Sequence, residues 1–219
     1  MHGVNTFLLV LAAIFPIVNP PGTALVFLAL TQGAPPELRR ELAWKVARNA
    51  LIVLVCSLLG GALVLQFYGI SIPVLRTAGG IIVAFAGWRL LQEGSHKSVE
   101  DSNHRDPRTS LIDQTFYPLT LPLTTGPGTI AVVISLGLSH PTSMSGTEQL
   151  IFTGASLAAI IVIAGAIFLS FAYADRVQGL LGQGGTDIAV RLSAFILFCL
   201  GLQILWSGCS ELLRSVVRD

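Results

Sequence analysis

The sequence predicts an all-α membrane protein: six transmembrane helices forming two inverted three-helix repeats, with the first and fourth helices discontinuous. Three observations predict it. Of 219 residues, 53% are hydrophobic and only 11% charged, with a mean hydropathy of +0.74, whereas a soluble domain carries about a quarter charged residues. The apolar residues form six continuous runs instead of alternating with polar ones, and open sheet edges find no hydrogen bonds in lipid, so the runs are helices. Two of the runs, the first and the fourth, are interrupted by matched clusters of proline and glycine.

A helix needs about 20 residues to cross a hydrocarbon layer of roughly 30 Å. The runs cover residues 6–30, 47–67, 72–91, 111–138, 150–174 and 188–207. No Lys or Arg precedes the first of them, and the first cation is Arg39, so the segment lacks the cationic start of a secretory signal and is expected to stay as a span. Inside it, Pro20 and Pro21 have no N–H and leave the carbonyls of Pro16 and Ile17 without helical donors; Pro16 does the same to Ala12. Proline also pushes the residue before it out of the α region, so the helix is predicted to stop near Val18 and a second to begin near Pro21. The 13 residues from Thr6 to Val18 reach only about 20 Å. In the second and third runs, Gly60, Gly61, Gly79 and Gly80 are expected to let helices approach closely.

The polar segment GSHKSVEDSNHRDPRTS divides the chain into residues 1–93, a linker loop at 94–110, and residues 111–219, with three runs on either side. Its His96, His104, Glu100, Asp101 and Asp106 match no zinc-ligand spacing and read as a solvated loop. In the fourth run Pro118, Pro122 and Pro127 remove donors from Gln114, Pro118 and Leu123, and Gly126-Pro127-Gly128 interrupts the helix near its middle. Asp113 lies just inside this run and Asp187 just before the sixth; no acidic residue falls at mid-membrane, which leaves a central proton-carrying carboxylate unsupported.

Short cytoplasmic loops are enriched in Lys and Arg. Ten of the 13 cations (Arg39, Arg40, Lys45, Arg48, Arg89, Lys97, Arg105, Arg108, Arg176, Arg191) fall on one side, and Arg76, Arg214 and Arg218 on the other. The N- and C-termini are therefore expected outside and the central loop in the cytoplasm.

Shifted by 106 positions, PIVNPPGT (residues 16–23) lies over PLTTGPGT (residues 122–129), matching at Pro16/Pro122, Pro21/Pro127, Gly22/Gly128 and Thr23/Thr129. A shift of 115 lays Arg76 over Arg191 and Ser71 over Thr186; the glycine-rich GLLGQGGT absorbs the difference. Two consecutive copies with an odd number of spans face opposite ways, the inverted repeat of many secondary transporters. Breaks at that depth are tolerated only beside protein or a water-filled cavity, so two related breaks point to one central site. Helix starts at Gly22 and Gly128 would present N–H groups to a carboxylate. The freed carbonyls would accept from an ammonium group or a cation, beside Asn19, Thr23, Thr124, Thr125 and Thr129. The plainer reading is two proline kinks repaired by neighbouring hydroxyls. Arg76 and Arg191, at the starts of related spans, are either gating residues or anchors that snorkel to headgroups.

With these residues in view, the chain resembles the MarC family of six-span bacterial inner-membrane proteins, which includes SnatA-like transporters of small neutral amino acids. The resemblance rests on NPPGTALVFLALT (residues 19–31), similar to the family's NP-x-G-x-x-P-x-F-x-x-LT signature, and on PLTTGPGTI (residues 122–130), similar to PL-x-x-GPG-x-I. Leu25 stands where the first motif often has a second proline, and Thr125 and Thr129 where alanine is common, which bears on the side chain preferred. The resemblance implies export of glycine- or alanine-like amino acids by alternating access, at a site drawing on Asn19, Pro20, Pro21, Gly22 and Thr23 and on Thr124, Thr125, Gly126, Pro127, Gly128 and Thr129. A proton or sodium ion is the possible coupling partner, and a homo-oligomer is possible. Other readings are an ion or metal exporter and a non-transporting membrane scaffold.

The residues suggest no cofactor and no resident metal. No Ser-His-Asp, Cys-His or phosphate-loop pattern occurs, so an enzyme is not expected. The scattered cations give no basic stripe for nucleic acid. Cys56, Cys199 and Cys209, odd in number and in apolar context, read as packing residues.

Overall fold

Proline and glycine decide where these helices begin and end. The computed structural model describes residues 2–31, 33–93, 120, 124–138 and 146–218. Helix α1 (His2–Val18) carries Pro16 in its last turn, and after the single residue Asn19 the chain resumes as α2 (Pro20–Leu30), one residue earlier than the sequence predicts. Helix α3 (Pro36–Tyr68) also opens on a proline, at a position where an N–H would have no helical partner. It ends at Gly69, whose positive φ of 66° lets the N–H groups of Gly69 and Ile70 return to the carbonyls of Gln66 and Leu65. Helices α4 (Ile72–Glu93), α5 (Pro127–Leu138), α6 (Gly146–Ala172) and α7 (Ala174–Arg218) follow. Helix α7 is broken at Gly182, where φ is 66° and ψ 177°. No strand occurs among the described residues.

Among the described residues, five stretches are long and apolar enough to cross a membrane: Gly3–Leu28, Pro36–Tyr68, Ile72–Gln92, Gly146–Ala172 and Gly184–Arg214. Helix α5 is shorter and forms the second half of the expected fourth span, whose first half lies largely outside the described residues. The linker loop at 94–110 and Asp113 lie outside them as well. On the exterior, Leu63, Phe67 and Leu150 are 70%, 83% and 75% exposed, a surface suited to lipid and not to water.

One boundary differs in kind. Residues 36–46, expected as a polar connection, are the first turns of α3. The cations there mask a helical pattern: Leu38, Leu42, Ala43 and Val46 share one face and are buried, while Glu37 and Arg40 stay outside.

Packing separates the helices into two groups. Helices α1, α2, α3 and α6, with Val133 of α5, share one apolar core, in which Phe27 and Phe171 stack at 4.5 Å between centroids. Helices α4 and α7 instead pack along each other's length. Lipid tails are as apolar as leucine, so close backbone approach replaces the hydrophobic drive. A Cβ at Gly80 would stand 2.3 Å from the Leu205 nitrogen, and one at Gly201 2.2 Å from the Ala84 nitrogen. Gly61 and Gly79 also sit at tight contacts, with Ile134 and Ala131, whereas Gly60 faces open space. The half-helices bridge the groups: α2 packs on α6 and α7, and α5 on α3 and α4.

Because the contacts at Gly201 are backbone, Gly201→Val should lower the thermal midpoint in detergent by an amount corresponding to roughly 1–3 kcal/mol. Gly60→Ala should hold or raise it, since alanine is the better helix former by about 0.5–1 kcal/mol.

Candidate functional site

At the first break the backbone itself is unusual. Among the described residues Asn19 is the only one other than glycine with positive φ, at φ 47° and ψ 60°. That left-handed conformation costs most residues roughly 1–2 kcal/mol, and asparagine is among the few that visit it. Its N–H still completes α1 by donating to the Phe15 carbonyl at 2.9 Å. Its side chain then caps α2, with Oδ1 accepting from the Gly22 N–H at 3.3 Å.

The donors at the start of α2 are thereby accounted for. Pro20 and Pro21 have none, Gly22 donates to Asn19 Oδ1, and the Thr23 N–H donates to the Asn19 carbonyl at 2.9 Å. The Thr23 hydroxyl also turns inward, donating to the Asn19 carbonyl at 3.0 Å. The expected pair of open N–H groups at Gly22 and Thr23 is therefore absent here, because asparagine fills the role that a ligand would take. What the break leaves open is at the other helix: the Pro16 and Ile17 carbonyls, facing prolines four residues on, have no donor among the described residues.

At the second break the chemistry is reversed. Thr124 and Thr125 both donate through their N–H groups to the Thr120 carbonyl, at 3.1 and 2.9 Å, and the Thr125 hydroxyl donates to the same oxygen at 3.3 Å. These three threonines are 2%, 0% and 0% exposed for Thr124, Thr125 and Thr120, so the hydroxyls repair a buried wide turn. Helix α5 then begins at Pro127, one residue before the predicted Gly128, with Gly126 as its cap position. Glycine has no side chain to cap with. The Gly128 and Thr129 N–H groups accordingly have no acceptor among the described residues. The carbonyl of Leu123 lies outside them.

Each half-helix start is wedged against a long helix of the α4/α7 pair. A Cβ at Gly22 would lie 2.7 Å from Ser193 Cβ of α7, and one at Gly128 would lie 1.9 Å from Val83 Cγ2 and 3.0 Å from the Gly79 carbonyl oxygen of α4. Pro20, Gly22, Thr23, Gly128 and Thr129 are buried, Asn19 and Gly126 half-buried, and Pro21 and Pro127 exposed.

Sequence reasoning missed Ser193. The signal was present, since the 115-residue shift sets Ser193 over Ala78, next to Gly79.

The arginines divide. Arg76 donates through Nε to Ser135 Oγ of α5 at 2.7 Å and through Nη1 to Glu211 Oε2 of α7 at 2.8 Å. Arg191 is exposed and forms no salt bridge among the described residues. A second such arrangement is built by Arg39, which the sequence reading assigned to a solvated connection. Its guanidinium binds the Asp175 carboxylate and donates through Nη2 to the carbonyls of Ala34 at 3.0 Å and Thr31 at 3.4 Å. No group of three or more His, Cys, Asp or Glu positioned to hold a metal occurs among the described residues.

Comparison with known proteins adds three relatives and a family. The chain matches the profile of the MarC family integral membrane proteins over residues 4–213. It is 33% identical over 214 residues to the UPF0056 inner membrane protein MarC of Salmonella typhimurium (strain LT2), covering 94% of each chain. Proteins of the same name from Citrobacter koseri and from Escherichia coli O1:K1 are 32% identical over 214 residues and 30% over 210, again covering 94% of each chain. No solved structure matches.

Asn19 combines a cap with a tolerated left-handed backbone. Asn19→Ala should therefore destabilise the folded protein by about 1–3 kcal/mol and Asn19→Gly by less than 1 kcal/mol, read from unfolding in detergent.

Proposed function

The chain belongs to the MarC family of integral membrane proteins, and on that premise we propose that it is a secondary transporter of small neutral amino acids. In this reading it exports glycine- or alanine-like zwitterions by alternating access through a central site between two inverted three-helix repeats. The observation that carries the reading is the pair of complementary openings in the backbone ladder. Among the described residues, two carbonyls without donors, on Pro16 and Ile17, end α1, and two N–H groups without acceptors, on Gly128 and Thr129, begin α5. Helix α1 packs against α5.

The negative end of one helix dipole and the positive end of another suit the two charges of an amino acid, with ammonium at the first and carboxylate at the second. Asn19 Nδ2, left over by the cap, and the Ser193 hydroxyl meet at Gly22 as neutral polar groups. Every group is backbone or neutral, as a net-neutral solute requires. The tight fit of Gly22 on Ser193 and of Gly128 on Val83 favours a small side chain on the solute.

Pairwise packing supports the repeat. Helix α2 on α7 corresponds to α5 on α4, and α2 on α6 to α5 on α3, which is the exchange that a two-fold axis in the membrane plane produces. The bacterial inner membrane is the location by the names of the relatives, with termini outside and the central loop in the cytoplasm by the cation bias. The carbonyls of Pro16 and Ile17 favour one alternative, a hard cation as cargo.

In proteoliposomes, saturable glycine or alanine counterflow is expected. Gly128→Ala should lower it by at least about tenfold, since the new methyl would meet Val83 and fill the space before the open N–H groups. Flux of sodium or manganese with none of any amino acid would transfer the site to the cation reading; no saturable flux of either kind would remove both.

A further inference from the structure

Two arginines close opposite ends of the bundle in the same way. Helix α3 carries Arg39 in its first turns and ends at Tyr68, and α4 starts at Ile72 with Arg76 in its second turn. Along the bundle the two residues are thus separated by the rise from Arg39 to Tyr68 less one turn of α4, roughly 35–40 Å. Each holds the C-terminal end of one half-helix: Arg39 the Thr31 and Ala34 carbonyls after α2, Arg76 the Ser135 hydroxyl near the end of α5. Each also binds an acidic residue of α7, Asp175 at its start and Glu211 near its end.

These are not headgroup anchors. The Arg39 side chain is 13% exposed and its Nε has no partner, a cost a purely peripheral arginine avoids by turning to water. Ser135 is 5% exposed, so Arg76 reaches inward to meet it. Between the ends, α7 has a joint. Gly182, with positive φ and open space around it, separates the Asp175 segment from the span Gly184–Arg214.

We infer that Arg39–Asp175 and Arg76–Glu211 are two latches, one at each mouth of the pathway, and that opening one exposes the central site to one side of the membrane. The inference rests on the transport reading but names different residues. Both ion pairs are formed in this structure. Releasing Asp175 frees the start of α7 from α3 while Arg39 keeps the carbonyls after α2; releasing Glu211 frees the end of α7 from Arg76, which keeps Ser135 of α5.

The test needs no solute. In a background carrying Cys56→Ala, Cys199→Ala and Cys209→Ala, Ser193→Cys reports on the centre, and labelling by a membrane-impermeant maleimide is followed in right-side-out and inside-out vesicles. Asp175→Asn should raise the labelling rate about fivefold from one side, and Glu211→Gln about fivefold from the other. Combining Arg76→Glu with Glu211→Arg should return labelling to the parent rate, since the Ser135 hydroxyl donates to a carboxylate as well as it accepts from a guanidinium; a general loosening of the fold would not recover in this way. Increases from the same side in both variants, unchanged rates, or no recovery in the charge swap would overturn the latches. Side-specific labelling without amino acid flux retires the transport reading and keeps the latches; flux with unchanged labelling does the reverse.

Discussion

The structure depends on how backbone hydrogen bonds are satisfied where no water is at hand. A buried amide group left without a partner costs roughly 1–3 kcal/mol by mutational measures and more in hydrocarbon, against a net folding stability of about 5–15 kcal/mol. Four such groups, two carbonyls on α1 and two N–H groups on α5, have no partner among the described residues, and in dry surroundings they would cost as much as a whole domain's stability. The same accounting explains the repairs beside them: the Thr23 and Thr125 hydroxyls and the Asn19 amide each bond a neighbouring backbone group. Among the described residues the structure thus contains both kink repair and an unrepaired remainder.

That remainder sits between two bodies held by different forces. One is an apolar core of α1, α2, α3 and α6, with stacked Phe27 and Phe171 and branched residues such as Ile160 and Ile163. The other is the α4/α7 pair, joined through glycine at backbone distance. Opposite Gly80, Gly87 and Gly208 in that seam stand Leu205, Phe198 and Thr77. The half-helices α2 and α5 touch both bodies, α2 through α6 and α7 and α5 through α3 and α4.

Much of this was legible in the sequence, for physical reasons that also mark where it stopped. Helix existence and the first break were readable because proline lacks an N–H wherever it stands; α1 ends at Val18 as that argument requires. The inequality of the two breaks was not readable from the matched Pro-Gly-Thr. It comes from the residue just ahead of each helix, Asn19 before α2 and Gly126 before α5: one has a side chain able to cap, the other has none. Arg39 was assigned to a loop because hydropathy averages over a face. The apolar side of residues 36–46 is visible only at helical spacing, and that helix turns Arg39 toward Asp175 across 136 positions of sequence. No local pattern announces such a pairing.

The half-helices also explain why charge belongs at their far ends. A helix of 11 or 12 residues is about 17 Å long, rigid along its axis, and carries a partial negative charge at its C-terminus. A guanidinium bound to the carbonyls after α2 satisfies groups that the helix cannot satisfy itself, and fixes the axis by its distal end. The proximal end rests against Ser193 at Gly22, where any larger residue would push α2 off α7. Helix α5 repeats the geometry with Gly128 against Val83 and Ser135 held by Arg76. Each half-helix is thus hydrogen-bonded to a guanidinium at its distal end and seated on a glycine at its proximal one.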